Sequence, residues 1–254
     1  MRARERPKPQ QTYAGGHLVE RFYWKNWSDA LQRPMEALRY GHGGAPVLVF
    51  PTSRGRFFQW EDFHMIDALR HPIEQGWLQL FCVDGIDNET WYDFDKPVAE
   101  VLELHARYED YLVREFLPQI RACNPSHFLI ATGTSFGAFH AANFALRHPT
   151  QVNRVVCMSG DFDVSKNLDD SYEPPAYFFN PIAYLGNVAP GPYRDQLRQL
   201  DIRLAVGAHD FCLPPSRQLA DLLGHVGVPH RLDIWDAHFI HDWPTWRIMA
   251  PQLL

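Results

Sequence analysis

The chain has 254 residues, 46% hydrophobic and 21% charged, which suits one large soluble α/β domain or two small ones. A formal net charge of -6 excludes a strongly basic, nucleic-acid-binding domain. No apolar run approaches a membrane span, and four scattered cysteines without a C-x-x-C pair argue against a disulfide framework.

Residues 1–15 open with MRARERPKPQQ, which is basic, proline-containing and followed by no apolar h-region. They read as a disordered tail rather than a secretory signal, so a cytoplasmic location is expected. Residues 16–254 read as a single domain. Two short apolar/polar segments, 18–24 and 35–40, separated by Asn26, Ser28 and Asp29, predict a leading hairpin. Gly41-His42-Gly43-Gly44 predicts a turn. The apolar run 46–50 predicts a strand buried on both faces, ending at the polar loop Pro51-Thr52-Ser53-Arg54-Gly55.

A helix is expected over 61–75, where Phe63, Met65, Ile66, Leu69 and Ile73 recur near helical spacing before Gly76. A strand follows over 77–83, then a polar and aromatic loop over 87–95. Pro97 opens a long helix, with apolar residues on one face to about Arg121. A strand over 127–132 leads into a helix over 136–147. The remaining expectations are strands over 152–158, 202–206 and 230–235, a helix over 216–223, and a C-terminal helix from Pro244. Residues 164–192, rich in Pro, Asn and Tyr, read as a loop with short helical pieces over a cleft. Alternating buried strands and helices behind a hairpin imply one mostly parallel sheet with helices on both faces.

The stretch HFLIATGTSFGAFHAA (127–142) holds the chemistry. Gly133-Thr134-Ser135-Phe136-Gly137 is a G-x-S-x-G motif between a strand and a helix. Its glycines remove Cβ atoms where strand and helix almost touch, and its serine stands at the apex. A serine hydroxyl needs a base, and the base an orienting acid. In a parallel sheet these come from loops after other strand ends. The loop after Val206 offers Asp210, and the loop after Trp235 offers His238 and His241. Asp161 and Asp163, after Met158, are alternative acids. The oxyanion hole is expected to use the Phe136 N–H and one from the loop after Phe50. Pro51 has no N–H to give, and Ser53 is chosen among the remainder. His238, His241 and Asp242 form only a weak metal pattern.

The order Ser135, Asp210, His241 is that of the α/β-hydrolase fold. Together with Ala237-His238-Phe239-Ile240-His241-Asp242-Trp243-Pro244-Thr245-Trp246, it resembles the putative-esterase group of that superfamily, which holds esterase D, mycolyltransferases and feruloyl esterases. The resemblance also covers 46–53, the Ser135 motif and 206–210. It implies an α/β-hydrolase fold and a serine esterase acting on a small-molecule ester, with no metal or organic cofactor and no nucleic-acid or membrane partner. It places the base at His241 and the acid at Asp210; the usual glycine two positions before the base is Phe239 here. Two other readings remain: an acyltransferase using the same residues, and a silent binding protein that keeps the fold. Oligomeric state is not read from the sequence.

Overall fold

The computed structural model describes residues 19–168 and 174–254. The expected tail at 1–15 lies outside the described residues. Eight strands form one sheet in the order β1-β2-β4-β3-β5-β6-β7-β8. β1 (Arg21–Ser28) and β2 (Arg33–Tyr40) are the antiparallel hairpin. Both strands run further than expected, because Asn26 and Ser28 stay in the ladder opposite Met35 and Arg33. The chain reverses only at 29–32, where Gln32 takes a φ of 54° and the Ser28 hydroxyl accepts the Leu31 N–H.

β2 pairs antiparallel with β4 (Leu78–Val83). From there β3 (Ala45–Phe50), β4, β5 (Ile130–Thr134), β6 (Arg154–Met158), β7 (Asp201–Gly207) and β8 (His230–Trp235) run parallel. This is the α/β-hydrolase arrangement. β3 and β4 are apolar almost throughout because helices cover both faces. Leu48 and Phe50 face a core built with α4 (Val98–Tyr111), α5 (Leu117–Cys123), α6 (Phe136–Arg147) and α10 (Leu213–His225). Val47 and Val49 face the opposite core. That one is built with α1 (Gln59–Asp62), α2 (Met65–Ala68), α3 (Arg70–Glu74) and α11 (Trp243–Leu253).

Two helices differ from expectation. The stretch 61–75 is three short helices, broken where His64 enters the left-handed region at φ 60°. Periodicity persists across the break because each piece presents apolar residues to the same core. The helix after Pro97 continues to Cys123 but passes through a π turn at Leu112–Phe116. Pro118 accounts for it: it has no N–H, and its ring displaces the carbonyl four residues back, which a wider turn accommodates. β5 starts at Ile130 rather than 127, because the Asn153 side chain takes the Leu129 N–H.

Residues 164–192 contain short pieces as expected. α7 (Pro174–Phe179) and α8 (Pro181–Tyr184) are followed by a 3-10 turn and then α9 (Pro192–Leu197). Val164, Leu168 and Phe179 pack with Trp91, Phe136 and Phe139 above the start of α6. In this strand order the chain leaves β3 for β4 on one side and returns to β5 on the other. A crevice therefore opens between the β3 and β5 carboxyl ends.

Candidate active site

Ser135 sits in that crevice, between the end of β5 and the start of α6. Its backbone is held at φ 55° and ψ -125°, a conformation that costs an L-residue about 1–3 kcal/mol. The surroundings enforce it. The Ser135 N–H donates to the Met158 carbonyl at 2.9 Å. A Cβ on Gly133 would lie 2.2 Å from the Gly137 carbonyl group, and one on Gly137 would lie 2.4 Å from the Pro51 oxygen. Both glycines are therefore required by close backbone approach. The serine makes no cap bond to its own helix, which leaves the hydroxyl for other partners.

Those partners arrive from two other strand ends. His241, in the loop after β8, has Nε2 2.9 Å from Ser135 Oγ. Its Nδ1 lies 3.0 Å from Asp210 Oδ1 and 3.3 Å from Oδ2. Asp210 follows β7, and its side chain is fully buried. Burial works against its charge. Hydrogen bonds from His241 and the Cys212 N–H, helped by the Ser159 hydroxyl, outweigh burial and hold the carboxyl below its usual range. Ser159 had no signal in the sequence beyond its place after β6. It is fully buried at φ 52°, and its hydroxyl accepts the Trp246 indole N–H at 2.9 Å.

The loop after β3 wraps the other side of the serine. Gln59 grips Thr52 twice, accepting its N–H and donating to its hydroxyl, each at 2.8 Å. The Arg54 N–H donates to Asp87 Oδ2 at 3.3 Å. Among the described residues, nothing accepts the N–H of Ser53 or of Phe136. The Ser53 hydroxyl pairs with the Tyr92 hydroxyl at 2.7 Å, and the Tyr92 ring stands 5.2 Å from that of Phe136. Gln59 and Asp87 were not singled out as site residues from the sequence.

The competing candidates lie apart from this chain of contacts. His238 is exposed, and its ring lies tilted against that of Phe239 at 4.1 Å. Asp163 accepts from the Ser165 N–H and hydroxyl and from Asn180. Asp161 is exposed, and desolvation raises its carboxyl pKa. Among the described residues, one donor set is close enough to share a cation: Asp210, Cys212 and His241, within 4.8 Å of one another. Two of these are already hydrogen-bonded together, and burial pushes the Cys212 thiol up, away from the thiolate a metal prefers. Of the aromatic residues near this edge, the ring of Phe211 lies 4.2 Å from His241 and is 69% exposed. Phe63 and Trp243 stack on each other at 4.4 Å.

Solved structures share this fold. A ferulic acid esterase is 17% identical, with 93% of this chain and 96% of that one covered at a TM-score of 0.75. An S-formylglutathione hydrolase from Agrobacterium tumefaciens is 15% identical, with 96% of each chain covered at 0.71. MPT51 of Mycobacterium tuberculosis is 14% identical, with 89% and 92% covered at 0.63. No curated protein sequence matches the chain. Among the described residues no helix is long and apolar enough to cross a membrane. A family model described as putative esterase matches residues 58–251, a span that includes Ser135, Asp210 and His241. The chain belongs to that esterase family and is a carboxylic ester hydrolase.

Proposed function

We propose that Ser135, His241 and Asp210 act as a catalytic triad that hydrolyses a small-molecule carboxylic ester through an acyl-enzyme. The observation that carries this reading is the unbroken contact chain from Ser135 Oγ to His241 Nε2 at 2.9 Å and from Nδ1 to Asp210 at 3.0 Å. Ser135 Oγ attacks the ester carbonyl while His241 takes its proton. Asp210 keeps the Nδ1 proton in place and stabilises the imidazolium. The Ser53 and Phe136 N–H groups receive the oxyanion. Collapse breaks the C–O bond, and His241 protonates the departing alcohol. Water, deprotonated by His241, then attacks the acyl-enzyme and releases the acid.

The exposed ring of Phe211 beside His241 and the ring of Tyr92 beside Ser53 give the site aromatic walls, which suit a flat acyl or alcohol group. Turnover of p-nitrophenyl acetate tests the assignment. Ser135→Ala is expected to remove it, by a factor of about 10⁴ or more, with an unchanged melting profile. Wild-type turnover by that variant would mean that Ser135 is not the nucleophile. Added acceptor alcohols separate hydrolysis from acyl transfer: free acid as the only product is expected.

A further inference from the structure

Beneath the crevice lies a buried pair that the proposed chemistry does not use. His140 donates from Nε2 to Asp87 Oδ1 at 2.8 Å, with the two side chains 5% and 1% exposed. Each partner is tied to one half of the oxyanion site. His140 stands on α6, five residues after Ser135, on the helix whose first N–H belongs to Phe136. Its ring stacks on Phe50, the last residue of β3, at 5.9 Å, and meets the Phe136 ring edge-on at 5.0 Å. The other carboxylate oxygen of Asp87 accepts the Arg54 N–H. Arg54 follows Ser53 in a turn closed by the Gly55 N–H on the Thr52 oxygen at 2.8 Å, and it occupies the left-handed region at φ 57°.

Two N–H groups on separate elements must converge on one oxygen, and a small misplacement of either loses the benefit. The peptide next to one donor sits in a backbone conformation that an arginine leaves readily. A single carboxylate, anchored to the helix that bears the second donor, opposes that relaxation. We propose that Asp87 and His140 are positioning residues that keep the Ser53 and Phe136 N–H groups in register for the oxyanion. The proposal rests on the Ser135 acyl-enzyme reading.

The pair could instead hold only the fold, and three variants separate the two roles. Asp87→Leu and His140→Phe each remove one side of the contact with a side chain of similar shape that neither donates nor accepts. His140→Gln keeps an N–H close to the position of Nε2. Steady-state hydrolysis of p-nitrophenyl acetate, inhibition by an aryl trifluoromethyl ketone and a thermal melt are read for each. A positioning role gives Asp87→Leu and His140→Phe a kcat about 10–100-fold lower with KM within about twofold. Affinity for the ketone, whose adduct carries the oxyanion, falls by the same factor as kcat/KM. His140→Gln recovers most of both.

The idea is overturned if the two variants melt cooperatively and keep wild-type kcat, or if kcat falls while ketone affinity stays. It is also overturned if neither variant folds, since the pair would then belong to the core rather than to the oxyanion loop. Failure of the underlying reading shows separately, as turnover by Ser135→Ala.

Discussion

In the proposed triad, Asp210 orients His241 only while its carboxylate stays charged inside the protein, so the groups that offset its burial matter as much as the acid itself. Ser159 is one of them, and it is unusually fixed. Its N–H bonds the Ala205 oxygen at 2.8 Å, its φ is left-handed, and Trp246 holds its hydroxyl. Ser159→Ala is therefore expected to lower kcat about tenfold with little change in KM, as a hydroxyl that favours the charged Asp210 is lost. It also strands the buried Trp246 N–H, at about 1–3 kcal/mol of stability. Kinetics and a denaturant melt of one sample check both, and an unchanged kcat would remove Ser159 from the account. Ser135, Asp210 and His241 were legible because each follows a strand end in a recognisable order. Between His238 and His241, one loop offered two imidazoles three residues apart; the resemblance favoured His241, and it is His241 that reaches Ser135. Ser159 was not legible, since a serine after a strand carries no spacing signal and its left-handed backbone leaves no mark in the sequence.

At the level of elements, the esterase resemblance left one mismatch: Phe239 stands where the group has a glycine two positions before the base. Here the space is made on the other side of the contact. Gly207, the last residue of β7, lies so close to the loop after β8 that a Cβ would fall 1.6 Å from the Phe239 oxygen. The missing side chain lets the β7 end and the His241 loop touch, three residues before Asp210. Gly207→Ala is expected to push that loop outward, to separate His241 from Asp210, and to lower kcat more than about 100-fold. Overpacking would also lower stability by about 1–3 kcal/mol. Activity and the melting temperature of the purified variant decide it; a variant with wild-type kcat would show that the loop shifts without carrying His241 away. Element boundaries were readable wherever pattern and flanking residues agreed. α6 and β8 occupy the spans expected of them, 136–147 and 230–235. The break at His64 and the π turn before Pro118 were hidden because apolar periodicity survives a local change of helix geometry.

Across the whole molecule, the most unusual electrostatic feature lies under the site rather than in it. His105 is 2% exposed on α4. Trp91 donates its indole N–H to Nδ1 at 3.2 Å, and the rings of Tyr108, His140 and Phe179 lie against it. Burial drives its pKa down to about 3; His140 and Arg147 add to the effect and Glu109 opposes it. A histidine that stays neutral in the fold but protonates when unfolded stabilises the protein fully above its unfolded pKa of about 6.5. That contribution drains away as pH falls toward 3. Between pH 6.5 and 4 the loss is about 3 kcal/mol. The carboxylates held below their usual range, Glu36, Asp67, Glu109, Asp163, Asp201 and Asp210, lose their contribution lower still. Asp84 and Asp161, raised by desolvation, act in the opposite sense within the same window, so the wild-type curve alone does not isolate His105. The difference from His105→Gln does, because an amide oxygen can still accept the Trp91 N–H but cannot titrate. Urea melts of both proteins at several pH values should show the variant less stable near pH 7, with the gap closing or reversing by pH 4. Parallel curves would mean that His105 titrates in the fold as it does in the unfolded chain, and the dry, aromatic setting given to it would have to be withdrawn.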